Sequence, residues 1–164
     1  SEARRRVDLG PYVREVVASL APMYRRTPHR VLVEVKAEVE ISTLVGAVSQ
    51  VCTNLVQNAL MHAFPDGNAG TITLEVDRHG EGGALLVCAD DGVGMAPQVL
   101  RRIYEPFFTT QRGRGGSGLG MHIVHNLVTE LLGGAIEIAS TPGQGTRVSI
   151  RLPADRSPHD RDDR

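Results

Sequence analysis

Three polar side chains, Asn54, Asn58 and His62, stand at i, i+4 and i+8 with Met61 beside His62. That spacing puts them on one face of a helix. Asn has middling helix propensity and competes for backbone hydrogen bonds, so two of them one turn apart on an otherwise apolar stretch are unexpected. One reading is metal chemistry. An amide oxygen is a hard ligand suited to Mg²⁺, which keeps waters and completes its shell from one or two protein groups and nucleotide phosphates. The other reading is that both amides bond loop carbonyls, and the helix alone does not decide between them.

A second constellation is Asp90-Asp91-Gly92-Val93-Gly94. The glycines let the backbone turn sharply and approach a flat ligand where a Cβ would intervene. A carboxylate ending a buried strand can accept a hydrogen bond from an exocyclic amine such as that of adenine, which makes Asp90 the candidate. Asp and Gly are also ordinary turn residues, so the pentapeptide alone leaves a plain strand-ending turn open. A third cluster, Gly115-Gly116-Ser117-Gly118-Leu119-Gly120, precedes the apolar recurrence Leu119, Ile123, Leu127 and Leu131. Glycines at a helix start expose N–H groups to which the helix dipole adds positive potential, and phosphate binds there readily. Adenine at one end and phosphates at the other form a coherent pair.

Rival phosphate-loop readings fail on context. Gly113, Gly115 and Gly118 spell G-x-G-x-x-G, but a long Arg- and Gly-rich loop rather than a strand precedes them. No GK[ST], HRD or DFG occurs, which excludes P-loop and protein-kinase chemistry.

The elements that must position these residues follow from periodicity. Tyr12, Val13, Val16, Val17 and Leu20 have helical spacing after Pro11, and Pro22 ends the run. Val31, Val33 and Val35 alternate as a strand does. Ser42 is placed to cap the next helix, whose stripe Leu44, Val48, Val51, Cys52, Leu55 and Ala59 is core. Ile72, Leu74 and Val76 predict a strand, and the continuous apolar run Ala84 to Ala89 predicts a central one that delivers Asp90. A short helix is expected over Pro97 to Ile103, before Tyr104-Glu105-Pro106-Phe107-Phe108-Thr109-Thr110. The paired Phe anchor one end of a lid whose other end, Gly113 to Gly118, stays flexible. Ile136 and Ile138, then Val148, Ile150 and Leu152, predict a closing hairpin.

At 164 residues the chain suits one domain, which buries roughly 70% of its unfolded surface. The expected boundaries are a linker remnant over 1–6, the domain over 7–153 and a disordered charged tail over 154–164. A formal net charge of −1 gives no global field to attract nucleic acid, so nucleic-acid binding is disfavoured. Lys36 is the only lysine, so phosphate contacts are expected from Arg, His or backbone. Cys52 and Cys88 sit in apolar segments, match no metal spacing, and read as buried free thiols. No apolar run approaches the ~20 residues that span a bilayer and no signal peptide opens the chain, so a cytoplasmic location is expected, with a parent protein that can still be membrane-anchored.

Taken together, these pieces resemble the catalytic and ATP-binding domain of bacterial two-component sensor histidine kinases, within the gyrase, Hsp90, histidine kinase and MutL ATPase group. Asn54-Leu55-Val56-Gln57-Asn58-Ala59 is similar to the N box, Asp90 to Gly94 to the G1 box, and Tyr104 to Thr110 to the F box. Gly116-Ser117-Gly118-Leu119-Gly120 is similar to the G2 box and Pro142-Gly143-Gln144-Gly145-Thr146 to the last glycine motif. The resemblance implies a two-layer α/β sandwich of the Bergerat type, a mixed and mostly antiparallel sheet with three helices on one face and a flexible ATP lid. It implies ATP and Mg²⁺ as cofactors, with Asn58 on the metal, Asp90 on the adenine amine, and Gly92 and Gly94 shaping the base pocket. Gly116, Ser117, Gly118, Leu119 and Gly120 would border the phosphates, and Thr146 would lie near the adenine.

Asn54 separates branches of the group. Gyrase, Hsp90, MutL and the anti-sigma serine kinases carry a Glu general base there, whereas an Asn cannot take a proton, so the implied acceptor is a histidine imidazole. Many members have Lys at the positions of Met61 and Gln111, and here His62, Arg112 and Arg114 are the candidates to compensate. No His-Glu segment of a helical hairpin is present, so the resemblance places the acceptor on a separate helical dimerisation and phosphoacceptor domain. It further implies a downstream response regulator, a homodimeric full-length kinase and a monomeric isolated domain. A nucleotide-binding switch or scaffold that has lost transfer, or an anti-sigma-type serine kinase, are the alternatives.

Overall fold

The computed structural model describes residues 2–109 and 120–154. Strand β1 (Arg5–Asp8) leads into α1 (Leu9–Ser19), a single turn α2 (Ala21–Tyr24), β2 (Arg30–Val35) and β3 (Glu40–Thr43). The long helix α3 (Val45–His62) follows, then β4 (Thr71–His79), β5 (Gly83–Asp90) and the short α4 (Pro97–Leu100). Helix α5 (Gly120–Asn126) runs on into a π-helical turn (Leu127–Leu131), and β6 (Ala135–Ser140) and β7 (Thr146–Leu152) close the chain.

Five strands form one sheet in the order β2-β4-β5-β7-β6, with β2 and β4 parallel and the other pairs antiparallel. The apolar run that predicts a central strand is central: β5 lies between β4 and β7, and Ala84, Leu86 and Cys88 are buried on it. Helices α1, α3 and α5 pack with that face into one core, including Leu9, Val13, Val48, Val51, Ile72, Leu74, Val124 and Ile150. This is the expected two-layer α/β sandwich with a mixed, mostly antiparallel sheet. No helix among the described residues is long and apolar enough to cross a membrane.

Several expectations are corrected. Ser42 does not cap α3: it lies in β3, which pairs antiparallel with β1. The N–H of Gly46, in the first turn of α3, instead donates to the Glu2 carboxylate, a cap supplied from the far end of the chain. Residues 2–6 therefore contribute to the fold, since β1 begins at Arg5, rather than forming a linker remnant.

Along α5 and the π-helical turn the buried positions are Met121, Val124, Val128 and Leu132, while Ile123 and Leu131 are 38% and 51% exposed. Both stripes of that segment are apolar, so spacing does not choose between them; packing does. The π-helical turn, in which Leu132 N–H donates to Leu127 O at 2.9 Å, lies where the helix meets β6. The two Phe also divide. Ile103 and Tyr104 pack against the core, whereas Phe107 is 59% exposed at φ 66° and Phe108 lies under the Arg102 guanidinium at 4.4 Å.

Candidate functional site

One end of the site is built where β5 stops. In the ladder Asp90 stands between Ile72 of β4 and Thr146 of β7. Its Oδ1 accepts the Gly92 N–H at 2.9 Å. Burial pushes the Asp90 carboxyl above its usual range, with the backbone N–H groups of Gly92 and Thr146 opposing the shift and the Asp91 charge adding to it.

The turn that follows has no room for side chains at three glycines. A Cβ on Gly92 would lie 2.2 Å from the Ala63 carbonyl oxygen at the end of α3, and that same oxygen accepts the Val93 N–H at 2.9 Å. Gly94, at φ +70°, would meet the Thr141 oxygen at 2.1 Å, and Gly145, at φ +80°, would meet the Asp90 oxygen at 2.0 Å. Gly143 N–H donates to Val93 O at 2.7 Å. The two turns are thus pressed together, with Asp90 held between them.

Ser140, at the end of β6, fastens this junction. Its Oγ accepts the Met95 N–H at 2.8 Å and lies 3.0 Å from Gly145 O and 2.8 Å from Thr146 Oγ1. Sequence reasoning missed it, because a Ser before Thr-Pro-Gly reads only as a turn residue. Thr146 and Met95 line the cavity that Ser140 braces.

The other wall is α3. Asn54, Asn58, Met61 and His62 share one face, as their spacing requires, and all four border a cavity of about 440 Å³ with Asp90, Gly94, Gly120 and Thr146. Cys88, Val148 and Met121 give it an apolar lining of the kind a planar base can lie against. Gly92 does not line it; that residue is the packing contact against Ala63. Asn54 is 9% exposed, and its Oδ1 accepts from Gln50 Nε2 at 2.8 Å. Asn58 makes no side-chain hydrogen bond among the described residues, and a Cβ on Gly120, the first residue of α5, would lie 3.4 Å from its Oδ1. Among the described residues no loop carbonyl bonds the Asn58 amide. Burial lowers the pKa of His62, so its imidazole is neutral near pH 7.

Arg112, Arg114, Gly116, Ser117, Gly118 and Leu119 lie outside the described residues. Lys36 is committed elsewhere: with Arg147 it pairs with Glu75, at 3.5 Å and 2.7 Å, and none of the three lines the cavity. Cys52 and Cys88 are free and buried, with burial raising both thiols, Cys52 to about 12.

A sheet covered by helices on one face, with a half-buried acid at a glycine turn and paired amides across a partly apolar cavity, defines a nucleotide-site class of α/β sandwich. The chain belongs to the histidine kinase-, DNA gyrase B- and HSP90-like ATPase family, whose model matches residues 44–156. It is 41% identical over 106 residues to the sensor histidine kinase ZraS of Salmonella typhi, covering 65% of this chain and 22% of that one. The chain thus spans about a fifth of that relative's length. Its fold is similar to the catalytic domain of histidine kinase ThkA, with a TM-score of 0.78, 23% identity and coverage of 92% and 95%. It is also similar to full-length ShkA in complex with AMPPNP, with a TM-score of 0.82, 25% identity and coverage of 96% of this chain and 32% of that one.

Proposed function

We propose that this chain is the ATP-binding catalytic domain of a sensor histidine kinase, which passes the γ-phosphoryl group of ATP to a histidine on a separate helical dimerisation and phosphoacceptor domain. The observation that carries the reading is the cavity face of α3. It offers the carboxamides of Asn54, Gln57 and Asn58 and a neutral imidazole, and none of its cavity-lining residues is a carboxylate. At Asn54 an amide stands where a carboxylate would take a proton from water, whereas a neutral imidazole on the acceptor domain is already nucleophilic.

Asp90 would receive the adenine amine, with Gly94 and Thr146 beside the base. Asn58 fits Mg²⁺: its amide oxygen is a hard donor in the cavity. Waters and nucleotide phosphates would complete the shell. The metal would supply charge neutralisation at the phosphates; positioning falls to the chain. Gly120 at the start of α5, with Gly116, Ser117, Gly118 and Leu119 before it, would border the phosphates. His62, Arg112 and Arg114 would supply polar contacts in the absence of a lysine. In transfer, the imidazole nitrogen bonds to the γ-phosphorus, the bond to the ADP oxygen breaks with its electron pair leaving on ADP, and the imidazole loses a proton to solvent. The intact protein would be a homodimer on the cytoplasmic side, anchored in a membrane or not, and would hand the phosphoryl group to a response regulator.

Met61 favours a second reading. An apolar side chain lines the cavity where a cation would serve transfer, as in a module that binds nucleotide without turning it over. Incubating the full-length protein with γ-labelled ATP and Mg²⁺ decides between them. Acid-labile, alkali-stable label on a histidine, lost in Asn58→Ala, is expected. ATP binding without label would favour the module.

A further inference from the structure

Gln50 lies one helical turn before Asn54 and does not line the cavity, yet its only side-chain hydrogen bond among the described residues is to Asn54 Oδ1, at 2.8 Å. A carboxamide has an acceptor end and a donor end. The Asn54 amino group makes no hydrogen bond among the described residues, and it is not among their buried polar atoms without a partner. Asn54 is 9% exposed and borders the cavity.

We propose that Gln50 is a positioning residue that fixes the polarity of Asn54, engaging its acceptor end so that α3 presents N–H donors to the transferring phosphoryl group. The inference rests on the phosphoryl-transfer reading above and adds to it a determinant of which nucleophile is used. An attacking water must surrender a proton and is held by an acceptor; a neutral imidazole attacks through its lone pair and needs none on that side. Donors aimed at the phosphoryl oxygens stabilise the charge they carry in the transition state. In both outcomes the bond from the γ-phosphorus to the ADP oxygen breaks and its electron pair leaves on ADP. The new bond is P–N, with the imidazole proton lost to solvent, or P–O, yielding inorganic phosphate and a proton. The Gln50–Asn54 pair sets the ratio of the two.

The test uses the full-length protein and three readouts: affinity for ATP, label on the acceptor histidine, and release of inorganic phosphate. Gln50→Glu has only acceptors, so its bond to Asn54 re-forms only from the amino group, which turns Oδ1 toward the cavity. Asn54→Asp, with Gln50 intact, brings an acceptor to the same place by another route. Both are expected to lower the ratio of histidine label to phosphate release by about tenfold, the scale of one hydrogen bond to a charged group. The uncharged Gln50→Met should shift it less, in the same direction, and all three should melt close to wild type. Should Gln50→Glu melt far below it, Asn54→Asp and Gln50→Met carry the comparison. An unchanged ratio, or label and phosphate release falling in parallel, overturns the assignment of Gln50. A wild-type protein that binds ATP but labels no histidine overturns the kinase reading itself, and with it this one.

Discussion

Two glycines of one turn permit a controlled measurement of how much the close approach to Asp90 matters. Gly143 and Gly145 have nearly the same backbone, φ +81° and +80°, but a Cβ on Gly143 would meet nothing within 4 Å. One on Gly145 would lie 2.0 Å from the Asp90 oxygen and 2.9 Å from its carbonyl carbon. Alanine at either site bears the left-handed backbone cost of about 1–2 kcal/mol. Only Gly145→Ala adds overpacking, about 1–3 kcal/mol, because the atom it strikes is backbone and cannot rotate away. With about 2–4 °C per kcal/mol for a chain of this size, Gly143→Ala should melt roughly 2–8 °C below wild type and Gly145→Ala clearly lower still. Relief of the clash must move the Asp90 backbone. Titration with a fluorescent ATP analogue should therefore show roughly ten- to hundredfold weaker binding for Gly145→Ala, the scale of one hydrogen bond to a charged group, and little change for Gly143→Ala. Equal melting temperatures for the two variants, with nucleotide affinity intact in both, would refute the account of the junction.

Asp90→Asn should separate stability from binding. With its folded pKa raised by burial, the wild-type acid contributes stability that is full below its unfolded value, near 3.8, and lost as pH rises through the folded value. The variant does not titrate, so its melting temperature should gain on wild type as pH rises from about 4 toward neutral, while nucleotide binding falls. Parallel melting curves across that range would remove burial as the cause. Ser140→Ala strands the Met95 N–H and loosens both turns, at about 1–3 kcal/mol by melting, with nucleotide affinity reduced; a variant as stable as wild type would show that the hydroxyl fastens nothing. Cys52 and Cys88, deeply buried and with raised thiol pKa values, should resist alkylation at pH 7.5 in the native protein and react together once it is denatured. Fast labelling of either before unfolding would contradict their burial.

What the sequence reveals here is what local spacing controls. Asn54, Asn58 and His62 fall on one cavity-facing side because a helix places i, i+4 and i+8 together, and Asp90 ends the central strand because an apolar run of that length has to be buried. Hidden from it are the choices settled between distant segments. Glu2 replaces Ser42 at the start of α3 because β3 carries Ser42 into a ladder with β1. Ile123 and Leu131 face outward because two equally apolar stripes compete and the core accepts the other. Ser140 and Gln50 matter through particular partners, and nothing in the residue type announces one 45 positions away, as Met95 is from Ser140.

The Ala63 carbonyl has a consequence for ligand length. It ends α3 and is gripped by the glycine turn through Val93 N–H, so the helix bearing Asn58 is tied directly to the loop bearing Asp90. A helix advances about 1.5 Å per residue and barely stretches. On the proposed reading the gap between the base jaw and the phosphate jaw is set by the few residues from Asn58 to Ala63, like the fixed opening of a caliper. Inserting a residue there would reset the gauge and rotate one jaw by about 100° relative to the other, however well each subsite kept its own chemistry.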